Sequence, residues 1–180
     1  MAETGVRSTY REIRPSRALS GRLVCFWTQR IDGAGPPLRH RVLPDGCVDI
    51  LWINDTPPLV AGPATRHVIV DLPAGTEVLG LRMKPGEAGG MLGLPADQML
   101  DANVALADIW GAAADRWGDL AGDDRPLEWR LDALAAAAVE RMVNSRFSEP
   151  VVAPCVAWLA RHPDCRIAAL AWVADFRHRL

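Results

Sequence analysis

The feature that most constrains the fold of this chain is a change in hydrophobic periodicity near Pro85. Before this residue, short runs of Val, Ile, Leu and Trp are separated by turn residues, which is typical of many short strands. After it, apolar residues recur at the spacing of amphipathic helices. The sequence therefore predicts an α+β chain in which a β-rich region precedes a helical one.

Seven segments before Pro85 are predicted to form strands. The breaks between them carry Pro, Gly, Asp and Asn, which favour turns because Pro restricts φ, Gly accepts φ > 0 and Asp or Asn bonds nearby backbone. The predicted strands are residues 10–13, 23–31, 39–43, 47–53, 59–61, 67–72 and 77–83. Several short strands at this spacing favour a sandwich or a small barrel.

Five helical segments are predicted after Pro85, and Pro and Gly residues mark several of their ends. Pro95 and Pro126 suit helix starts, Gly93 and Gly111 suit helix ends, and Asp101 is placed to cap a helix. The predicted segments are residues 87–92, 96–100, 102–110, 126–146 and 151–161.

The charge of the whole chain does not indicate a nucleic-acid-binding protein. The net charge is −2 and the pI is about 6.1, whereas such proteins normally carry a basic face. Residues 161–180 are locally basic, with four Arg against two Asp.

The compartment is predicted to be the cytoplasm. The first fifteen residues lack the apolar core of a signal peptide, and no apolar stretch reaches the roughly 18 residues that span a bilayer. The four cysteines, Cys25, Cys47, Cys155 and Cys165, show no metal-ligand spacing, and Cys25 and Cys47 lie in apolar runs where buried free thiols are expected.

Three linked motifs resemble a subgroup of AraC-type transcriptional regulators. Residues 40–50, HRVLPDGCVDI, are similar to the signature LPDGCVDL of that subgroup, and residues 80–86, GLRMKPG, are similar to GxRFxPG. Residues 92–96, LGLPA, followed by DIWG at 108–111, resemble LGxPA…DLWG. Order and spacing agree from Tyr10 to about Gly111, and more loosely to Leu180.

The resemblance implies a cupin-like antiparallel β-sandwich or barrel, followed by a helical linker and a partial helix-turn-helix. Residues 1–111 would be the sensor domain with short trailing helices. Residues 112–147 would form a helical linker and dimerisation region, and residues 148–180 a truncated helix-turn-helix segment.

Arg177, His178 and Arg179 fall where the family opens its DNA-recognition helix. Arg177 replaces the Ser that would cap this helix, and Asp175 replaces the usual Gly of the turn. The recognition helix reads the major groove, and in this sequence it would be cut off at Leu180. We therefore expect the chain by itself to bind DNA weakly or not at all. Whether its end at Leu180 reflects trimming or natural loss is left open.

Asp49 and Arg82 are the polar residues that stand out within the predicted strands. Strand alternation places Asp49 on one face with Cys47 and Leu51. A carboxylate among apolar neighbours needs a partner, so Asp49 is expected either to pair with Arg41 or Arg82 or to bind a ligand.

Arg82 shares its predicted strand face with the small Gly80, which leaves room for a ligand or an aromatic neighbour. It could bind a carboxylate effector bidentately, or it could bridge to Asp49 or Glu77. Both possibilities remain open from the sequence.

The ligand-site candidates are completed by two aromatic residues, one histidine and one cysteine: Trp27, Trp52, His40 and Cys47. The aromatic rings could fill the core or stack on a planar ligand. The turn 44–46 is predicted to be tight, with Asp45 bonding local amides. No His-x-His is present, so we expect no metal. The sequence shows no Ser/His/Asp order, no glycine-rich phosphate loop and no paired catalytic carboxylates, so we expect no cofactor and no catalytic residues.

The leading hypothesis for function is the effector-binding and dimerisation part of an AraC-like regulator. A small molecule would bind the β-domain and change promoter recognition in the intact protein, which is expected to be a homodimer. One alternative is a stand-alone cupin-like enzyme or ligand-binding protein without a DNA-reading unit, with Asp45, Asp49, Cys47, His40 and Arg82 as its polar groups. Another is a protein that titrates full-length partners by forming heterodimers.

Overall fold

The structure of the chain is a computed structural model that describes residues 7–122, 124–145 and 152–166. All seven predicted strands are confirmed, since alternating apolar residues and turn chemistry specify them locally. They are β1 (Arg7–Ile13), β2 (Leu23–Asp32), β3 (Leu38–Val42), β4 (Val48–Ile53), β5 (Leu59–Ala61), β6 (Val68–Leu72) and β7 (Glu77–Met83). A short eighth strand, β8 (Asn103–Ala105), follows later.

The strands form two antiparallel groups. Six of them make a sheet in the order β1-β2-β7-β4-β5-β8, and β3 pairs with β6 in a separate two-stranded ribbon. Within the described residues no ladder joins ribbon to sheet, so the predicted barrel is not closed. The α+β class is confirmed.

The helices are α1 (Ala88–Leu92), α2 (Leu106–Trp110), α3 (Ala113–Ala121), α4 (Leu127–Asn144) and α5 (Val152–Arg161), and a 3₁₀ turn covers Ala96–Met99. Four of the five predicted helical segments are close to these bounds. Gly93 ends α1 in the left-handed region at φ 83°, as its place after the helix predicted. In the described part of the chain, no helix has the length and apolar character needed to cross a bilayer.

The predicted helix at 102–110 is wrong in its first half. Residues Asn103–Ala105 pair with β5 as a strand, and α2 begins only at Leu106. Asp101 does not cap a helix: it adopts φ 56° and its carboxylate accepts hydrogen bonds from Thr65. The open edge of β5 offers the segment hydrogen-bond partners, which overrides its local helix propensity.

The helix α3 was not predicted from the sequence. Its apolar residues Ala114, Trp117 and Ala121 are buried, and their spacing of three and four residues is helical. Two of the three are alanines, so the apolar stripe was weak in sequence.

One face of the six-stranded sheet packs against α1 to α4 in a continuous core. Trp52 of β4 stacks on Trp117 of α3 with ring centroids 6.4 Å apart, and Trp110 meets Trp117 edge-on at 4.9 Å. Leu134 of α4 is fully buried in the same core as Ile50. The core therefore joins the sheet to residues of α4, and the predicted domain limits stay predictions.

Candidate functional site

A cavity of about 290 Å³ lies between the ribbon and the other face of the sheet. We call it the ribbon cavity. Its walls are mostly apolar: Val42, Val68, Val70 and Leu72 from the ribbon, and Leu51, Ile53, Leu59 and Val78 from the sheet. Concave, mainly apolar sites with a few converging polar groups are typical of small-molecule binding.

The ribbon wall follows from the register of β3 and β6. His40 lies opposite Val70, and Val42 lies opposite Val68. Residues that are directly opposite in an antiparallel pair share a face. Every second residue of the ribbon therefore faces the sheet, and His40 is the polar one among them.

The sheet wall contains a row of residues that are directly opposite one another on neighbouring strands. Cys25 of β2 lies opposite Arg82 of β7, Arg82 opposite Asp49 of β4, and Asp49 opposite Ala61 of β5. This register brings Asp49 and Arg82 together, which decides between the two Arg partners that the sequence left open.

Asp49 accepts hydrogen bonds from two donors. The indole Nε1 of Trp27 donates to Oδ1 at 2.9 Å, and Arg82 Nε donates to Oδ1 at 3.1 Å and to Oδ2 at 3.2 Å. A second carboxylate, that of Asp45, lies 3.6 Å from Arg82 Nη1. The side chains of Asp49 and Arg82 are only 13% and 25% exposed, so most of the pair is removed from water.

Gly80 makes room for Trp27. A Cβ atom placed on Gly80 would lie 2.1 Å from Cε2 of the Trp27 ring, which no real contact allows. Of the two occupants that the sequence allowed beside Gly80, the structure places an aromatic ring there. That ring lies under the Arg82 guanidinium, whose Cζ is 5.9 Å from the ring centroid.

Burial and charge act in opposite directions on the pair. Burial raises the pKa of Asp49, and the hydrogen bonds and charge of Arg82 oppose this rise together with Trp27. Burial alone would lower the pKa of Arg82, but the hydrogen bond and charge of Asp49, with a contribution from Asp45, raise it. Arg82 therefore stays a cation, and its nearest counter-ions belong to the protein.

The chain matches one family, described as Domain of unknown function (DUF6597), over residues 11–105. The chain belongs to this family. The matched DUF6597 region contains both walls of the ribbon cavity, the Asp49–Arg82 pair and the strand β8. No curated protein and no solved structure gives a match to the chain.

Four of the six predicted ligand-site residues line the ribbon cavity of the DUF6597 domain: Trp27, His40, Asp49 and Arg82. Trp52 lies on the opposite face of the sheet, where its Nε1 donates to the carbonyl of Trp117 at 3.1 Å. This position agrees with strand alternation, which separates Trp52 from Asp49.

Cys47 lies at the end of the turn that precedes β4 and is half-buried. Its backbone N–H donates to Asp45 Oδ1 at 2.8 Å, and Gly46 adopts φ 72°, so the predicted tight turn is confirmed. Burial, with the negative charge of Asp45, raises the pKa of the Cys47 thiol to about 12. A thiol of this kind is a poor nucleophile at neutral pH.

Three polar residues of the cavity were missed from the sequence. Gln29, which is 6% exposed, donates from Nε2 to Ser8 Oγ at 3.0 Å; it follows Trp27 by two positions, so alternation could have found it. Asp101 and Asn103 also line the cavity, and they were hidden by the wrong helix prediction. Hydrogen bonds from the Thr65 side chain and backbone lower the pKa of Asp101.

Among the residues that the structure describes, no group of three or more His, Cys, Asp or Glu is arranged to hold a metal ion. The predicted DNA contacts Arg177, His178 and Arg179 lie outside the described residues.

Proposed function

We propose that this chain is the effector-binding and dimerisation part of a cytoplasmic, AraC-like transcriptional regulator. The observation that carries the proposal is the ribbon cavity, an apolar space that holds a fixed charged pair on its sheet wall. Two of the three sequence motifs that resemble the AraC subgroup contribute residues to this site, since Asp49 and Arg82 belong to them.

The cupin-like character of the β-domain is part of the proposal. It is supported by two antiparallel strand groups that enclose a cavity, with polar side chains converging from the larger sheet. In such an arrangement the effector would lie between ribbon and sheet.

A route from the cavity to the helices runs along the chain through β8. Asn103 lines the cavity, and β8 continues directly into α2 at Leu106. The backbone N–H groups of Gly62 and Leu106 donate to Ala102 and Pro58, which ties this segment to the strand β5. An effector that favours one position of β8 would thereby favour one position of α2 and of the helices packed on α2.

Such coupling requires that the effector binds two arrangements of the protein with different affinity. In the proposed regulator these arrangements differ in the pose of the helices after Pro85. Arg177, His178 and Arg179 are proposed to begin the DNA-recognition helix, and the functional unit is proposed to be a homodimer.

Effector binding is tested first by a thermal-shift screen of the full chain against small neutral, anionic and cationic compounds. In the variant Ala61→Leu, added side-chain volume enters the ribbon cavity, so any stabilisation by a true effector should be lost. Ala136→Leu, on the exposed face of α4, adds the same volume elsewhere and should keep the response. If no compound stabilises the chain, or if Ala61→Leu responds like Ala136→Leu, the proposed site is wrong.

The regulatory step is tested with a transcription reporter driven by the region upstream of the gene that encodes the chain. An effector-dependent change that is lost in Ala61→Leu and kept in Ala136→Leu would support a regulator. An effector that binds without any change in transcription would instead favour the alternative, a stand-alone ligand-binding protein.

A further inference from the structure

We infer that the ribbon cavity binds an uncharged molecule: a small, mainly apolar compound with a neutral hydrogen-bonding group, and not a carboxylate, phosphate or amine. This inference rests on the proposed function, because it assumes that the cavity is the effector site.

The charge of the cavity arginine is already balanced within the protein. Its Nε donates to both carboxylate oxygens of Asp49, and the Asp45 carboxylate lies 3.6 Å from its Nη1. A ligand carboxylate would have to bind the remaining N–H groups as a third negative charge around one guanidinium. Its repulsion from Asp49 and Asp45, at a pair that is largely removed from water, disfavours an anion.

The carboxylates of the cavity are equally occupied. Asp49 accepts from Trp27 and Arg82, and Asp101 accepts from the backbone N–H and the hydroxyl of Thr65 at 2.7 and 2.6 Å. At Asp49 an ammonium ligand would compete with Arg82. At Asp101, which is exposed and has both oxygens hydrogen-bonded to Thr65, a new ion pair would gain little because water screens it. Both signs of ligand charge are therefore disfavoured.

The polar side chains that remain for a ligand are one imidazole and one carboxamide. In the described part of the chain, the side chains of His40 and Asn103 line the cavity and make no hydrogen bond to other protein groups. An imidazole and a carboxamide can each donate and accept, which suits a hydroxyl, a carbonyl or an amide on an otherwise apolar molecule.

The size of the cavity further limits the class of ligand that it can bind. Small-molecule sites commonly measure about 300–1,000 Å³, so a space of about 290 Å³ suits a molecule of one ring or a short chain. The match between a small volume and apolar walls favours a compound such as an aromatic alcohol.

The test uses three probes of matched shape: benzyl alcohol, benzoate and benzylamine. Their affinities for the full chain are measured by calorimetric titration at a pH of about 8, where benzoate and benzylamine are both charged. The Trp27 indole N–H signal in NMR spectra, assigned with Trp27→Phe, reports whether binding occurs at this wall. Benzyl alcohol is expected to bind at least about tenfold more tightly than either ion.

The variant Asp49→Asn sharpens the test because it frees the Arg82 guanidinium without changing the shape of the side chain. Benzoate affinity is expected to rise about tenfold or more relative to benzyl alcohol affinity. Asp71→Asn is the matched control: Asp71 is exposed on the outer side of the ribbon, paired with Arg39 at 3.7 Å, and its replacement should leave the order of the probes unchanged.

A folding defect in Asp49→Asn would not remove the test. The double variant Asp49→Asn/Arg82→Met carries no charge at this position, and it is expected to show no rise in benzoate affinity. The order of the probes on the unmodified chain is also decisive by itself.

Two kinds of failure are distinguishable. Benzoate or benzylamine binding most tightly to the unmodified chain, or a charged effector from the thermal-shift screen, would overturn the inference and leave the proposed site standing. Failure of all three probes and of the screen would overturn both.

Discussion

The two faces of the six-stranded sheet differ in how completely they are covered. On β4, Val48, Ile50 and Trp52 point to the helices and are at most 4% exposed, whereas Asp49 and Leu51 point to the ribbon and are half-buried. Adjacent residues of one strand thus enter a filled core on one side and a cavity wall on the other. The difference shows that the elements packed on each face, helices on one and the ribbon on the other, decide which face can hold a ligand. The sheet itself does not decide it.

The helices and the ribbon differ in the side chains that they pack against the sheet. The helices contribute long and aromatic residues such as Met91, Leu106 and Trp117, which fill the space against the sheet. The ribbon contributes valines, and Val42, Val68 and Val70 remain 36–45% exposed. A narrow two-stranded ribbon with short side chains cannot reach the sheet everywhere, so a cavity remains.

The largest predicted effect compares two neighbours on β4. Ile50→Ala should lower the free energy of unfolding by about 4 kcal/mol, because a fully buried side chain leaves a cavity in a filled core. Leu51→Ala should cost only about 1 kcal/mol, since its side chain borders space that is already empty. Urea unfolding of both variants measures the difference, and equal losses would mean that the ribbon side is packed as tightly as the helix side.

The next effect concerns the fit between Gly80 and Trp27. Gly80→Ala should cost about 3 kcal/mol, because the added methyl group overlaps a rigid indole ring. Combining it with Trp27→Leu should cost less than the sum of the single changes, since the overlap is then relieved. Gly21→Ala, where an added Cβ meets nothing within 4 Å, is the control for thermal unfolding. If the losses of stability caused by Gly80→Ala and Trp27→Leu simply add, the contact between Gly80 and the Trp27 ring is contradicted.

Removal of the arginine should have a smaller, pH-dependent effect. Arg82→Met should cost about 2 kcal/mol near neutral pH, after allowance for the partial exposure of the pair. Burial already raises the pKa of Asp49 in the folded state, and loss of the guanidinium raises it further. Such a group destabilises the fold when ionised, so the penalty should be absent below its unfolded pKa of about 4 and should grow as the pH rises through the folded value.

The control for this variant is Arg39→Met, which removes the exposed partner of Asp71 on the ribbon and should change stability by no more than about 0.5 kcal/mol. Unfolding curves collected across the acidic range compare the two. A penalty for Arg82→Met that does not vary with pH would show that lost packing, and not the charge of Asp49, is responsible.

The last prediction concerns the chemical reactivity of two cysteine thiols rather than the stability of the fold. Burial raises the pKa values of the Cys25 and Cys47 thiols to about 11 and about 12. Because the thiolate is the reactive form, iodoacetamide should modify both residues roughly 100-fold or more slowly in the folded chain than in urea at a pH of about 8. Peptide mapping by mass spectrometry measures the rates. Equal rates in the folded and unfolded chain would show that the thiols on the ribbon side of the sheet are open to solvent.

The sequence predicted much of the secondary structure because the relevant signals are local. The turn at 44–46 forms from Pro, Asp and Gly chemistry within three residues, and alternation placed Asp49 and Trp52 on opposite faces of β4. The error at β8 has the opposite origin. Whether residues 103–105 become a strand depends on the edge of β5, which lies more than forty positions earlier in the chain.

The candidate site was only partly predictable for the same reason. Trp27, His40, Asp49 and Arg82 could be selected individually as residues that strand alternation and chemistry make unusual. Which of them meet was open, since Asp49 had two possible Arg partners and Gly80 had two possible occupants. The register of β4 and β7 chose Arg82, and the packing of β2 on β7 chose Trp27.

What the sequence by itself determined is the α+β class, the seven strands before Pro85 and the face on which each strand residue lies, because these follow from backbone preferences and a period of two residues. Only the tertiary structure decided that β3 and β6 leave the main sheet, that they cover one face incompletely, and that Asp49 and Arg82 of the resulting cavity are paired with one another. These outcomes depend on contacts between residues far apart in the chain, where many registers satisfy the same local pattern and packing selects one of them.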